Sequence, residues 1–209
     1  MMSINTYEEY MAKMSNHFGN RYDLFKLLNE EFSITTASYP GSYIDITPSF
    51  FFSKTYYIDI DKKAKKFFEN KEVILEYIER NKTYEKKTNL IFLPQDYRNK
   101  FDDIAESSDL LISLYAGLIS KYCKDLLKKN GVLLANDSHG DASMAHLDDD
   151  FTFFGVIEYQ NKKYSFKTDN LDEYFITKKN ITVTEEFLEK TGKGIGYKKS
   201  ANYYVFFKK

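Results

Sequence analysis

The sequence predicts an α/β protein built on a mostly parallel sheet. Five apolar runs predict its first strands, at residues 34–38, 56–58, 89–93, 109–113 and 132–135. The later runs are apolar almost throughout, without polar alternation, which is typical of parallel strands covered by helices on both faces. Helical patterns separate the second run from the third and the fourth from the fifth, as in repeated strand–helix units.

The composition indicates a globular protein, and nothing in it favours nucleic acid or a membrane over a small-molecule partner. Of the 209 residues, 43% are hydrophobic and 17% are aromatic, which is enough for one sizeable core. The formal net charge of −1 gives no overall field that favours nucleic acid or an anionic membrane. Arginine occurs only at positions 21, 80 and 98, so few planar groups could hold phosphates, and nucleic acid is disfavoured.

Cys123 is the only cysteine, which excludes an internal disulfide framework. With no basic-then-apolar leader at the N-terminus, this predicts a cytoplasmic protein. No apolar run approaches the ~20 residues that a membrane helix requires. Cys123 lies on the apolar face of a predicted helix, so we expect a buried packing residue rather than a nucleophile.

Two amphipathic helices are predicted before the first strand. Apolar residues recur at helical spacing over residues 7–18, and again over residues 24–32 after a break at Gly19 and Asn20. His17 lies within the first of these patterns and is predicted to be structural. We therefore divide the chain into an N-terminal helical extension, residues 1–32, and a single α/β domain, residues 33–209.

Three further helices are predicted between the strands. Asp61 is placed to cap the first, and the second follows over residues 73–78. The third runs over residues 118–127, and Asn130 with Gly131 would end it before the fifth strand. Beyond Asn136, alternating patterns at residues 151–159 and 163–167 predict a hairpin. A helix capped by Thr184 and a terminal strand at residues 202–207 complete the pattern.

The stretch from residue 33 to residue 61 has the layout of a nucleotide-cofactor half-site. The first strand meets a turn at Pro40 and Gly41, and the second strand ends at Asp59. Asp59 follows Gly41 by 18 residues (59 − 41), against about 20 in the dinucleotide version. A glycine turn lets the backbone approach a ligand, and an acid at the next strand end accepts hydrogen bonds from ribose hydroxyls.

Five segments follow or form the predicted strands: S-Y-P-G-S, Y-Y-I-D-I-D-K-K-A, L-P-Q-D-Y, D-L-L-I-S-L-Y-A-G and L-L-K-K-N-G-V-L-L-A-N-D. With them the chain resembles the class I S-adenosylmethionine-dependent methyltransferase superfamily, over roughly residues 33–207. The resemblance implies a three-layer, Rossmann-like sandwich with seven strands in the order 3-2-1-4-5-7-6. It also implies that the last strand is antiparallel.

The resemblance also implies a cofactor site for S-adenosyl-L-methionine. It places Asp59 on the cofactor ribose, Asp96 near the adenine amine and Gly41 beside the methionine portion. The flanking residues predicted to contact the cofactor are Tyr39, Ser42 and Ser113. The first loop departs from the family pattern, because only one glycine is present and the bulky Tyr43 follows it.

The methyl acceptor is expected over the loops that follow strands four and five, residues 113–117 and 136–141. His139 is the only histidine on that rim, and its ordinary pKa near 6.5 suits a general base. Asp137 or Asp141 could orient its ring, and Tyr115 is the next catalytic candidate. The spacing of Asp137, His139 and Asp141 could instead hold a divalent cation, or simply begin a helix.

The predicted function is methyl transfer to a small or medium acceptor. A non-catalytic protein that binds a nucleotide or a partner through the same rim is the main alternative. An NAD-dependent enzyme is the third alternative. It ranks behind the others because a loop with one glycine differs more from the G-x-G-x-x-G motif than from the methyltransferase loop. The glycine-rich residues 191–200 lack the ending of a phosphate loop, and no G-x-S-x-G motif supports a hydrolase.

Overall fold

The computed structural model describes residues 4–18 and 20–209, without the side chains of residues 16–18. The side chain of His17 therefore lies outside the described residues. Over this part of the chain there are seven α-helices and eight strands: α1 (Ile4–Phe18), α2 (Arg21–Glu31), β1 (Thr36–Pro40), β2 (Lys54–Ile58), α3 (Lys62–Phe68), α4 (Lys71–Asn81), β3 (Asn89–Leu93), β4 (Ser108–Ser113), α5 (Ile119–Cys123), β5 (Leu127–Ala135), α6 (Asp141–Leu147), β6 (Phe151–Gln160), β7 (Lys163–Lys167), α7 (Glu185–Thr191) and β8 (Tyr203–Lys208).

The strands form one sheet in the order β3-β2-β1-β4-β5-β8-β6-β7. Strands β1 to β5 pair in parallel, β8 is antiparallel to both β5 and β6, and β7 is antiparallel to β6. This confirms the predicted α/β sandwich and its strand order, which is the order of the methyltransferase fold. The prediction of seven strands was wrong by one, because the second arm of the predicted hairpin joins the sheet as the edge strand β7.

Apolar side chains cover both faces of the sheet. On one face, Tyr57 and Leu110 pack in a cluster with Leu28 of α2 and Phe68 of α3. On the other, Leu111 packs with Ile119 of α5 and with Cys123. Side chains of neighbouring positions alternate between faces, which is why the central strand β4 and the second half of β5 are mostly apolar. Cys123 is buried, as predicted, and burial raises the pKa of its thiol.

Two predicted boundaries were wrong. The first strand begins at Thr36 and runs through Pro40, which was expected to turn. The helix predicted over residues 118–127 ends at Cys123, a 3-10 turn follows, and β5 begins at Leu127. Asn130 and Gly131 lie inside β5 at an irregularity in its pairing with β4, where Asn130 has a φ of +59°. Both boundaries are set by pairing with neighbouring strands.

The fold brings the carboxyl ends of β1 to β5 to one edge of the sheet. In parallel sheets this edge is where ligands bind, at the point where neighbouring connections diverge. Strands β1 and β4 are neighbours at the centre of the sheet. The chain continues from β1 to β2 on one side of this pair and from β4 to β5 on the other. Within the described residues, each helix is too short or too polar to span a membrane.

Candidate functional site

A cleft of about 440 Å³ lies at the carboxyl ends of the first four strands. We call it the strand-end cleft. Its lining comprises Gly41, Asp59, Ile60, Gln95, Asp96, Tyr97, Arg98, Tyr115 and Ala116. Its volume lies within the range of about 300 to 1,000 Å³ that is usual for small-molecule sites. The cleft thus brings together four residues that the sequence predicted for the site, Gly41, Asp59, Asp96 and Tyr115.

Gly41 is required by its backbone and by a close neighbour. Its φ is +67°, in the left-handed region, and its amide donates to the carbonyl of Ile58 over 2.8 Å. A Cβ atom at this position would lie 2.1 Å from the Cβ of Ala116. The loop after β4 therefore packs directly onto the glycine turn, and any larger residue would push the two loops apart.

Asp59 is half-buried at the end of β2, and the chain holds its carboxylate in place. Its Oδ2 accepts the backbone amide of Tyr43 over 2.7 Å, and its Oδ1 accepts that of Asp61 over 2.8 Å. A carboxylate has about four acceptor positions. Each oxygen therefore keeps one for a further donor, so Asp59 remains able to accept two vicinal hydroxyls.

Asp96 is held by Arg98, a residue that was not predicted for the site. The guanidinium donates from Nε to both carboxylate oxygens, over 3.0 and 3.1 Å, and from Nη2 over 2.5 Å. The backbone amide of Arg98 adds a bond of 2.9 Å. These hydrogen bonds lower the pKa of Asp96 to about 2. They also occupy its acceptor positions, so a ligand amine reaches this carboxylate only if Arg98 moves.

Three residues predicted to contact the cofactor do not line the cleft. Tyr39 is 3% exposed and donates its hydroxyl to Asp45. Ser42 is buried, and its Oγ has no hydrogen-bond partner among the described residues. Ser113 is buried and donates to Asp141. The structure places these three side chains beneath the rim of the cleft, in the body of the protein.

Asp141 is a buried residue that joins three elements. It begins α6, and its carboxylate accepts hydrogen bonds from Ser113, at the end of β4, and from Ser120, in α5. The Ser120 contributions come from the amide over 3.0 Å and from Oγ over 2.6 Å. Burial raises the pKa of Asp141 to about 6, although the serine hydrogen bonds oppose this. The carboxylate therefore faces the interior and ties β4, α5 and α6 together.

The structure contradicts the predicted pairing of His139 with an aspartate. The Nδ1 atom of His139 lies 3.0 Å from the Oγ of Ser138. Asp137 instead accepts from the amide and hydroxyl of Ser143 and from the amide of Ile195. No three His, Cys, Asp or Glu residues of the described chain come together as a metal site.

Tyr115 connects the strand-end cleft to a second space. A cavity of about 190 Å³, here called the side cavity, is lined by Tyr115 together with residues that follow β5 and precede β8, among them Asn136 and Asn202. Tyr115 has a φ of +61°, an unusual conformation for a tyrosine. Strained residues of this kind cluster at binding sites, where the surrounding structure holds them.

Ile60 and Tyr97 also line the cleft, and neither was predicted for the site. Ile60 is 65% exposed beside Asp59 and so presents an apolar side chain to the cleft. Tyr97 is half-buried, and its hydroxyl donates to the carbonyl of Ala116 over 3.2 Å. Position in the chain could have indicated both: Ile60 directly follows Asp59, and Tyr97 directly follows Asp96, which were both predicted for the site.

Comparison with known proteins found no family model and no curated protein that matches the sequence. Solved structures do match. The chain is 16% identical to the YcgJ protein from Bacillus subtilis, with a TM-score of 0.39, over 58% of this chain and 54% of that one. It therefore spans about half the length of that protein.

Several of the similar structures carry the name methyltransferase. A methyltransferase from Geobacter sulfurreducens is 15% identical, with a TM-score of 0.47, over 71% of this chain and 82% of that one. The N-methyltransferase NodS from Bradyrhizobium japonicum WM9, solved with S-adenosyl-L-homocysteine, is 12% identical, with a TM-score of 0.47, over 68% and 80%. The assignment of the fold rests on the strand order of this chain.

Proposed function

We propose that the protein is an S-adenosylmethionine-dependent methyltransferase that acts on a small or medium acceptor. The observation that supports this most is the strand-end cleft, where the turn of Gly41 and the carboxylate of Asp59 lie at adjacent strand ends of this fold. Asp59 keeps acceptor capacity for the two hydroxyls of a ribose. The neighbouring Ile60 offers an exposed apolar surface on which a flat base could lie.

The proposed cofactor runs from Asp96 to Gly41 along the strand ends. Asp96, with Arg98, would lie at the adenine end, and the backbone turn of Gly41 at the methionine end. S-adenosylmethionine supplies an electrophilic methyl group when bound. Tyr115 borders both the strand-end cleft and the side cavity, so an acceptor held in the side cavity would meet the cofactor beside this residue.

The residues of the chain would contribute mainly orientation. Methyl transfer needs in-line approach of an acceptor lone pair, and correct placement supplies much of the rate. His139 remains our proposed base for the acceptor proton, with Ser138 rather than an aspartate as the partner of its ring. Asp141 would act indirectly, because its hydrogen bonds to Ser113 and Ser120 fix the loops that carry Tyr115 and His139.

Calorimetric titration with S-adenosylhomocysteine tests this proposal. We expect Asp59→Asn to bind it about tenfold to a hundredfold more weakly than the wild type, because losing a charge-assisted hydrogen bond costs roughly 1.5 to 3 kcal/mol. Asp103→Asn is the matched control, since Asp103 is exposed and lies outside the cleft. Equal affinity in wild type and Asp59→Asn would remove the ribose assignment.

A second candidate is a non-catalytic nucleotide-binding or partner-binding protein of the same fold. It is favoured by the packing of Ala116 onto Gly41 and by the occupation of Asp96 by Arg98. Methyl transfer from S-adenosylmethionine to any acceptor in a metabolite mixture would rule this candidate out. Micromolar affinity for NAD, with no affinity for S-adenosylhomocysteine, would instead favour an NAD-dependent enzyme.

A further inference from the structure

Arg21 is a buried cation without a hydrogen-bonded counter-charge. It is the first residue of α2 and is only 2% exposed. Its Nε and Nη1 atoms are buried and have no hydrogen-bond partner among the described residues. Its guanidinium makes a cation–π contact with Tyr115, and the centroid of that ring lies 5.5 Å from Cζ of Arg21.

The nearby carboxylate of Asp45 does not pair with Arg21. Asp45 is itself buried, and it accepts hydrogen bonds from Thr47 and Tyr39. Burial acts to lower the pKa of Arg21, but nearby groups, with the carboxylate of Asp45 among them, outweigh this and raise it. The guanidinium therefore stays charged. Buried donors without hydrogen-bond partners cost free energy, and the oxygen atoms of a bound carboxylate would supply the partners that Nε and Nη1 of Arg21 lack.

Tyrosines from separate parts of the fold surround this cation. They are Tyr10 in α1, Tyr39 in β1, Tyr115 after β4, Tyr164 in β7 and Tyr203 in β8. Burial raises the pKa of all five hydroxyls, to about 12 for Tyr10 and Tyr164, and the charge of Arg21 opposes this in each case. The hydroxyls are thus protonated at neutral pH. That of Tyr39 donates to Asp45, and Tyr203 is hydrogen-bonded to both Tyr115 and Tyr164.

We infer that Arg21, with Tyr115 and Tyr203 beside it, binds a carboxylate group of the methyl acceptor. That the carboxylate belongs to an acceptor rests on the proposed function. The guanidinium presents a planar fork of donors that matches a carboxylate, and its single positive charge balances one negative charge. Tyr115 lines the strand-end cleft and the side cavity, so an acceptor anchored beside it would extend toward both.

The test compares benzoate with benzamide, its uncharged analogue of the same shape, as probes of the purified protein. Ligand-induced shifts of the melting temperature and calorimetry should give at least tenfold tighter binding of benzoate. Arg21→Met should reduce benzoate binding to the level of benzamide. Arg80→Met is the control and should bind as the wild type does, because Arg80 pairs with Glu76 on the exposed surface of α4.

The stability of Arg21→Met separates a binding role from a structural one. Removal of an unpaired buried charge should leave the melting temperature unchanged or raise it. A lower melting temperature would mean that the charge has a partner within the folded protein and would overturn the proposal. Arg21→Lys keeps the charge without the planar fork, and benzoate affinity between those of wild type and Arg21→Met is expected.

Titration with S-adenosylhomocysteine shows which ligand the carboxylate belongs to, since this molecule carries a carboxylate of its own. Arg21→Met should bind it within about threefold of the wild type. A loss of tenfold or more would assign Arg21 to the cofactor and overturn the proposal. If the wild type binds benzoate through Arg21 but does not bind S-adenosylhomocysteine, the proposed function fails, and with it the assignment to a methyl acceptor.

Discussion

At the scale of single residues, the carboxyl group of Asp141 makes stability depend on pH. Its pKa of about 6 in the folded state lies above the value of about 4 expected in the unfolded chain. The folded state therefore binds this proton more tightly. The contribution of Asp141 to stability is full below pH about 4 and is lost as the pH rises through about 6.

Asp141→Asn should remove this dependence, because the amide does not titrate. We expect the free energy of unfolding of the wild type to fall, relative to that of the variant, between pH about 4 and about 6. The difference between the two proteins should be constant above that range. Urea denaturation across the range measures it. Parallel curves for the two proteins would mean that Asp141 titrates as an ordinary exposed carboxyl group.

The sequence could predict only part of the site at this scale. Gly41, Asp59 and Asp96 were found because the alternation of strands and helices places strand ends at one rim. The sequence indicated only that Arg21 is one of three arginines. Its proposed role in binding depends on its burial and on tyrosines distant in the chain, which the sequence does not show. The occupation of Asp96 by Arg98 depends on the turn of the loop, which no periodic pattern encodes.

At the scale of elements, the turn of the hairpin between β6 and β7 holds a lysine in a strained backbone conformation. Gln160 pairs with Lys163, so Asn161 and Lys162 form the two-residue turn. Both have positive φ, +51° and +62°, as a type I′ turn requires. Asparagine tolerates this conformation, whereas lysine does not favour it.

Lys162→Gly should therefore stabilise the protein by roughly 0.5 to 1 kcal/mol. Relief of the left-handed strain contributes about 1 to 2 kcal/mol, and the extra freedom of glycine in the unfolded chain offsets part of this. Lys163→Gly is the control and should destabilise, because Lys163 has extended conformation in β7. Chemical denaturation of both variants tests this. A loss of stability in Lys162→Gly would show that the lysine side chain makes a compensating contact.

Local signals predicted the elements well wherever capping chemistry was strong. Asp61 caps α3 by accepting the amides of Lys63 and Ala64, and Thr184 caps α7 by accepting that of Phe187. The Asn130–Gly131 pair misled the prediction because the same residues suit a helix end and a strand irregularity. Pairing with β4 decided between the two, and pairing is not visible in a local window.

At the scale of the whole molecule, β8 holds the two parts of the sheet together. It pairs with β5 on one side and with β6 on the other. Val205 is fully buried in the middle of this strand, opposite Leu134. The central place of a terminal strand was expected from the family resemblance, since composition and periodicity do not specify strand order.

Val205→Asp should abolish cooperative thermal unfolding, since an unpaired buried carboxylate in this strand would cost more than about 4 kcal/mol. Asn202→Asp is the control. Asn202 is exposed just before the strand, and its side-chain oxygen accepts the amide of Tyr159, a role that aspartate retains. The control should stay within about 0.5 kcal/mol of the wild type. A cooperative melt of Val205→Asp near the wild-type temperature would contradict a central role for β8.

The position of β8 also determines the order in which parts of the sheet can assemble during synthesis. Strands β1 to β5 and the hairpin of β6 and β7 leave the ribosome first, but they stay unjoined until residues 203–208 emerge. Pairings between residues distant in the chain form slowly. Tyr203 lies in β8, so the tyrosines around Arg21 assemble only at this last step. A nascent chain could thus form the turn of Gly41 and the end of β2 before it has any place for a carboxylate beside Arg21.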